Sequence, residues 1–234
     1  MKSIKVLAII PARGESKGII NKNLRLLRGK PLIQHAIDYA KESNLIDKII
    51  VSTDSDDILE VSLNLGAEVI KRPVLLSGDK SLVIDAIHHT INECQNKQNY
   101  YPEIIVLLEC TSPIKSLKEI NKAIETLMSE DFDSVATFKE TEISPNRIWR
   151  INDNEITPFI KDANPFLPRQ SQPIGYQLTG QLYAVKTKKL MEDLNNPSLL
   201  LGKVYPIITK TEVIDIDTEI DLLFAEEILK KIEN

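Results

Sequence analysis

Cysteine is scarce: the chain has two in 234 residues, Cys94 and Cys110. That is too few for a disulfide framework, and neither has the CxxC or CxxxH spacing of a zinc site. Aromatic residues make up 5% of the chain, which argues against a stacking platform for single strands or polysaccharides. There is no basic excess either. With 29 Lys and Arg against 34 Asp and Glu, the net charge of −5 lacks the dense phosphate neutralisation of a general nucleic-acid binder. Apolar runs such as Ile4 to Ile10 and Ile104 to Leu108 fall far short of the roughly 20 residues that cross a bilayer. The opening Met1-Lys2-Ser3-Ile4-Lys5 has neither the long apolar stretch nor the cleavage site of a signal peptide and reads as the approach to a buried strand. These absences predict a soluble, cytoplasmic chain that partners neither membrane nor nucleic acid.

What is present is globular composition, 42% hydrophobic and 27% charged, enough apolar material for one large buried core. Short β-branched runs at Ile4 to Ile10, Lys48 to Ser52, Glu68 to Ile70, Glu103 to Leu108 and Ser134 to Phe138 read as strands. Between them, Pro31 to Ser43, Asp56 to Leu65, Ser81 to Gln95 and Ser116 to Ser129 carry apolar residues at helical spacing. Strands apolar throughout and alternating with helices predict an α/β, doubly wound, mostly parallel sheet covered on both faces, whose ligands bind beyond the carboxyl ends of the strands. From about Glu140 to Gly180 the pattern breaks into short β-like pieces punctuated by five prolines around Trp149, which predicts a small inserted subdomain. Strand character then returns at Gln181 to Lys186 and Val213 to Ile216, and Thr218 to Ile232 reads as a closing helix.

The loop after the first strand reads Pro11-Ala12-Arg13-Gly14-Glu15-Ser16-Lys17-Gly18-Ile19-Ile20-Asn21-Lys22-Asn23. Two glycines, small residues and three cations at that edge can wrap N–H groups and charge around a polyphosphate, or merely form a solvated turn. The loop is neither G-x-G-x-x-G nor G-x-x-x-x-G-K-[ST], which removes the main support for a nicotinamide oxidoreductase or a Walker-type ATPase. A second constellation is Ile214-Asp215-Ile216-Asp217-Thr218-Glu219. In an extended segment Asp215 and Asp217 project together, and such paired oxygens suit Mg²⁺. Equally, Asp217 or Thr218 can cap the last helix, since Thr218-x-x-Asp221 has capping-box spacing. Thr111-Ser112-Pro113 makes a tight polar turn after a buried strand. Cys110 beside it reads as a small buried thiol rather than a nucleophile, and His35, His88 and His89 have no catalytic spacing.

Together these segments resemble the sugar nucleotidyltransferases, and more narrowly the CMP-sialic acid synthetases (acylneuraminate cytidylyltransferases), a family with CMP-legionaminic and CMP-pseudaminic acid synthetases among its members. The resemblance runs through Pro-Ala-Arg-Gly-x-Ser-Lys-Gly, Asn21-Lys22-Asn23-Leu24, Gly29-Lys30-Pro31-Leu32-Ile33, Val51-Ser52-Thr53-Asp54-Ser55, Gly66-Ala67-Glu68-Val69 and Lys71-Arg72-Pro73. It implies a Rossmann-like nucleotidyltransferase fold in which Arg13, Ser16 and Lys22 hold a triphosphate, with Lys17 beside them. Asn23 and the loop backbone at Ala12 and Gly14 would contact the nucleoside. Arg72 would read cytosine, and Ser81, with Asp79, belongs to a partly kept Asp-Thr-x-Ser-type segment. The Ile-Asp-Ile-Asp-Thr-Glu segment matches the family's metal-binding stretch, which implies Mg²⁺ on Asp215 and Asp217.

The sugar side departs from the pattern. Glu109 and Cys110 stand where the family usually has Gln-Pro before Thr111, and Thr179 and Gln181 stand where Asn and Ala are usual. Arg169, Gln170 and Tyr183 match sugar-contacting positions, with Arg169 suited to a sugar carboxylate. The resemblance therefore implies CTP and an acidic sugar as partners: N-acylneuraminate or a relative such as legionaminic acid, with pseudaminic acid or the eight-carbon Kdo as alternatives. Arg13, Lys17 and Lys22 would stabilise the phosphates, with Asp215 and Asp217 holding the metal. The family is typically homodimeric through the inserted segment. A nucleotide-binding module without turnover is the more distant alternative.

Overall fold

The computed structural model describes residues 4–16, 18–129 and 131–233. In chain order the elements are β1 (Val6–Pro11), β2 (Leu26–Leu27), β3 (Lys30–Pro31), α1 (Leu32–Glu42), β4 (Lys48–Thr53), α2 (Asp56–Asn64), β5 (Glu68–Lys71), α3 (Val83–Gln98), β6 (Ile104–Leu107), α4 (Leu117–Ser129), β7 (Ser134–Glu140), β8 (Trp149–Asn152), β9 (Glu155–Pro158), β10 (Tyr176–Lys186), α5 (Thr187–Glu192), β11 (Val204–Ile208) and α6 (Glu219–Glu233). The central seven-stranded sheet runs β11-β7-β10-β6-β1-β4-β5. Six strands are parallel; β10 runs antiparallel to both its neighbours, β6 and β7.

Alternation along β1 explains the two-sided core. Val6, Ala8 and Ile10 pack with Ile33, Ile37, Ile58, Ile120 and Ile124 from α1, α2 and α4. Leu7 and Ile9 turn the other way, onto Ile84, Ile87 and Ile91 of α3 and Leu190 of α5. Side chains two apart share a face of a strand, so a run with no polar residue is what a sheet covered by helices on both sides needs.

A third cluster lies beneath the ligand edge of the sheet. Ile19 of the first loop, Ile114 after the Thr-Ser-Pro turn, Ile214 and Ile216 of the acidic segment, and Leu222 and Ala225 of α6 are buried together. Three regions far apart in sequence, the last of them the acidic segment with α6, are thereby fixed around one small core. Each fully buried isoleucine contributes about 1.5–3 kcal/mol to holding them there.

Three features differ from the sequence expectation. Val213 to Ile216 pairs in no sheet; its position comes from burial of Ile214 and Ile216 and from bonds at Ile216, whose N–H donates to the Thr111 carbonyl at 2.8 Å and whose carbonyl accepts from Lys22 Nζ at 2.8 Å. The strand that closes the sheet is instead β11, which carries Pro206 and pairs with β7 along the sheet margin, a place where a missing N–H is tolerated. Finally, β10 begins at Tyr176, earlier than expected, and is interrupted by an irregularity between Leu178 and Tyr183. The excursion between β7 and β10 holds the β8–β9 hairpin, with Trp149 opposite Pro158. Among the described residues no helix is long and apolar enough to cross a membrane.

Candidate functional site

Strands β1, β4, β5 and β6 all end at the same edge, and the segments that follow β1, β5 and β6 line a cleft of about 320 Å³. Arg13, Ser16, Lys22, Asn23, Arg72, Ser81, Glu109 and Thr111 line it together with Ser77 and Asp79. Residues drawn from the first loop, the turn after β5 and the turn after β6 thus meet in one place, where α/β sheets bind ligands. Lys17 lies outside the described residues.

The first loop is braced from within. The Ala12 N–H donates to the Ser52 carbonyl at 2.9 Å, and the Gly14 N–H donates to Asp54 Oδ1 at 3.1 Å. Asn23 is buried and its Nδ2 donates to the Arg13 carbonyl at 2.9 Å, so its side chain shapes the loop as well as lining the cleft. Gly18 is required sterically, because a Cβ there would lie 2.0 Å from the Asp217 carbonyl oxygen. The phosphate-type loop therefore packs directly on the acidic segment.

Both described cations of the loop carry carboxylate partners. Arg13 Nη1 pairs with Asp79 Oδ1 at 3.2 Å. Lys22 Nζ donates to the Ile216 carbonyl at 2.8 Å and to Asp217 Oδ1 at 2.9 Å, stapling the loop to the acidic segment. Arg72 is buried, its Nε donating to Ser77 Oγ at 2.8 Å. Burial pulls its protonation equilibrium down, Asp54 opposes that, and Arg13 adds to it. A buried guanidinium at a cleft wall, fixed through Nε, is oriented to meet a planar ligand edge with its remaining donors. Ser81 Oγ donates to the Leu75 carbonyl at 3.1 Å, holding the far wall.

Asp215 and Asp217 are exposed while Ile214 and Ile216 point inward, so the alternation expected from sequence survives without a sheet partner. The cap of α6 is made by the residues beside them. The Thr218 N–H donates to Asp221 Oδ2 at 2.8 Å and the Asp221 N–H donates back to Thr218 Oγ1 at 3.3 Å, a reciprocal capping box. The Thr218 hydroxyl, donating to Asp221 Oδ2 at 2.8 Å, and behind it the N–H groups of Thr218 and Asp217 hold the Asp221 carboxyl below its ordinary range. Asp217 gives only its N–H to that cap, at 3.1 Å from Asp221 Oδ2, and its carboxylate takes no part in it. Among the described residues no three His, Cys, Asp or Glu side chains gather as a metal cage. Two carboxylates on one side of an extended segment beside a phosphate-type loop fit a cation that keeps waters and takes phosphate oxygens, as Mg²⁺ does.

Glu109 also lines the cleft, and Tyr183 lies near it without lining the cavity. Burial raises the Glu109 carboxyl above its usual range; Lys115 and Lys22 oppose this and Asp215 reinforces it. Burial, with Glu109 and Asp215 nearby, pushes the Tyr183 phenol up to about 12. Gly180 takes a positive φ of 69° at the irregularity of β10, and a Cβ there would sit 3.3 Å from Glu109 Oε2. Arg169 and Gln170 are exposed on a short turn of the excursion and do not line this chain's cleft.

Two of the departures noted in the sequence prove to be internal. Thr179 Oγ1 lies 2.6 Å from Thr137 Oγ1, and Gln181 Nε2 donates to the carbonyls of Ile114 (2.6 Å) and Glu212 (3.1 Å). Both side chains are buried. Gln181 ties β10 to the turn after β6 and to the approach to the acidic segment, rather than facing a ligand.

Sequence reasoning missed Lys115. It is 5% exposed, and its ammonium donates to the carbonyls of Glu109 (3.0 Å), Ser112 (2.7 Å) and Gln181 (2.8 Å), which closes the turn beneath Thr111. Burial pulls its pKa down to about 8 against the attraction of Glu109. A lysine after Thr-Ser-Pro-Ile carries no local sign of burial, because its three acceptors are backbone carbonyls supplied by the tertiary fold.

Cys94 and Cys110 are both buried and free, and burial pushes their thiols up to about 11 and about 12. Neither should react with a disulfide reagent at about pH 8 in the native protein, whereas both should in denaturant. The raised values stabilise the fold fully below the ordinary thiol range. That contribution is lost as pH climbs through about 11 to 12, so unfolding titrations should show a thiol-dependent loss of stability above about pH 9 that Cys94→Ala/Cys110→Ala removes. Rapid native labelling would contradict the buried placement.

Comparison with known proteins accords with this geometry. Residues 7–232 match the family described as Cytidylyltransferase. The N-acylneuraminate cytidylyltransferase of Streptococcus agalactiae serotype V is 33% identical over 224 residues, covering 94% of this chain and 52% of the relative, so the chain spans about half the length of that protein. The CMP-N,N'-diacetyllegionaminic acid synthase of Legionella pneumophila is 32% identical over 235 residues, covering 97% of each. Among solved structures, CMP:2-keto-3-deoxy-manno-octonic acid synthetase complexed with CTP superposes with a TM-score of 0.71 at 15% identity, over 97% of this chain and 99% of that one, a likeness of fold.

Proposed function

The chain belongs to the cytidylyltransferase family, and on that premise we propose that it transfers the cytidylyl group of CTP to an acidic 2-keto-3-deoxy sugar of the nine-carbon class. The anomeric oxygen would attack the α-phosphorus, the bond from that phosphorus to the bridging oxygen would break, and the products would be CMP-sugar, pyrophosphate and the proton of the hydroxyl. The observation that carries this reading is the shared cleft. Arg72 stands at one wall, the loop cations Arg13 and Lys22 at the centre, and Glu109, with Asp215 and Tyr183 near it, at the other end.

No covalent intermediate is needed, because in-line phosphoryl chemistry depends on positioning and on neutralising charge. Arg13 and Lys22 would exchange their present carboxylate partners for phosphate oxygens. Asp215 and Asp217 would hold Mg²⁺, which when bound offsets phosphate charge and acidifies a neighbouring hydroxyl. N-acylneuraminate and legionaminate are the first candidates for the sugar, supported by relatives of each kind at 33% and 32% identity. CTP-dependent pyrophosphate release that requires an added acidic sugar tests the proposal; no release with N-acetylneuraminic, legionaminic, pseudaminic or Kdo acid would leave a binding module without turnover. The reaction belongs in the cytoplasm, a placement supported by the free cysteines.

The excursion would be a homodimer interface. Ile151, Ile156, Phe159, Phe166 and Ile174 are all exposed there, Phe166 at 84%, with Trp149 stacked obliquely 5.9 Å from the Phe166 ring. Apolar side chains concentrated in one stretch of a chain are a signature of association. Arg169 and Gln170 sit in the same stretch and would reach the partner's cleft rather than their own. Sedimentation should show a dimer that Ile151→Glu/Phe166→Glu converts to an inactive monomer; a fully active monomeric wild type would sink the assignment.

A further inference from the structure

The sugar end of the cleft offers a carboxylate with nothing to hold. Glu109 lines the cavity beside Thr111. Lys115, the nearest buried cation, directs its ammonium to backbone carbonyls, including that of Glu109 itself, and not to the carboxylate. Among the described residues the Glu109 carboxylate has no hydrogen-bond or ion-pair partner, although it is only partly exposed. Gly180 leaves the space beside Oε2 open: a Cβ there would stand 3.3 Å from that oxygen. A carboxylate that lines the cleft without a protein partner is available to a ligand group.

Its chemistry restricts that group. An ionised carboxylate accepts hydrogen bonds and donates none, whereas an amide in the same place does both. A ligand carbonyl or carboxylate placed here would meet repulsion, while an ammonium or amidinium N–H would gain a charge-assisted bond in a site where an unmet partner is costly.

We propose that Glu109 selects an acidic sugar that presents to it an N–H donor with cationic character, an amidine or amine, over the corresponding neutral acetamide. This rests on the cytidylyltransferase reading above and narrows its substrate class. The test measures kcat/KM for CTP-dependent pyrophosphate release with a matched pair of nine-carbon acids, one bearing an acetamidino group and the other an acetamido group at the same carbon. The wild type should favour the amidine by about tenfold or more, and Glu109→Gln should lower that ratio by about tenfold while CTP affinity, measured by calorimetry, stays within about twofold. A wild-type preference for the acetamide, or a ratio unmoved by Glu109→Gln, would overturn the assignment while leaving the reaction in place. Absence of turnover with either sugar and with the wider panel would overturn the reaction and this inference with it.

Discussion

Replacing Asp217 by alanine should cut CTP-dependent pyrophosphate release by about 100-fold while the protein keeps its fold. The side chain is 72% exposed and makes no cap to α6, so its removal costs little packing. What it loses is local charge. Asp217 holds Lys22 at 2.9 Å and, with Asp215, is one of two carboxylates available to Mg²⁺ beside the loop. A metal at a transferring phosphoryl group is worth several kcal/mol, and each ~1.4 kcal/mol is a factor of ten in rate. Asp217→Asn separates the two roles, since its amide oxygen still accepts from Lys22 but lacks the charge a metal needs. Turnover lowered about 100-fold in both variants, with melting temperatures near wild type, is the expected result. Wild-type rates in Asp217→Asn would reduce Asp217 to a partner for Lys22.

Lys115→Met should act mainly on the fold and through it on the site. The ammonium closes three carbonyls, those of Glu109, Ser112 and Gln181. Methionine fills the space but leaves these acceptors unpaired in a buried place, at about 1–3 kcal/mol each. Against this, burial of the charge is itself costly, as the fall of the lysine pKa to about 8 shows, and methionine relieves that cost. Three orphaned acceptors outweigh one relieved cation, for a net loss of about 2–4 kcal/mol, or roughly 5–15 °C in Tm for a domain of this size. Activity should fall further, because the turn carrying Glu109 and Thr111 would lose its anchor to β10. Lys115→Arg should recover part of both. Unchanged melting in Lys115→Met would show that the turn is held by Gln181 and the buried isoleucines alone.

The sheet was legible in sequence wherever burial on both faces made strands apolar throughout, as in Val6–Pro11 and Ile104–Leu107. The helices α1 to α4 were legible from their apolar spacing, with ends displaced by up to three residues. Strand β11 was not, because Pro206 argues against a strand unless the missing N–H is known to face a margin. The antiparallel course of β10 left no local mark, since strand direction is decided by connections rather than by side chains. The family resemblance was correct, and its candidate residues include half of those that line the cleft, because loops at the carboxyl ends of strands carry their chemistry in contiguous motifs. Tertiary dependencies escaped it. Lys115 finds its acceptors, Gly18 its carbonyl neighbour and Gln181 its two anchors only after distant segments meet. Thr179 and Gln181 looked like changes of sugar contact in the sequence and are instead parts of the internal bracing, which leaves Glu109 and the buried Cys110 beside it as the departures that line the cleft.

The account turns on which phosphorus is attacked and on which nucleotide the Arg72 wall admits. Incubation of the protein with CTP labelled at the α-phosphorus, Mg²⁺ and an acidic nine-carbon sugar tests both at once. The label should pass into a sugar-linked CMP product only when the sugar is present, with unlabelled pyrophosphate released in equal amount, and UTP labelled in the same position should be used far less well. Label that stays in CTP with every sugar supplied, or a sugar product formed equally from UTP, would contradict it.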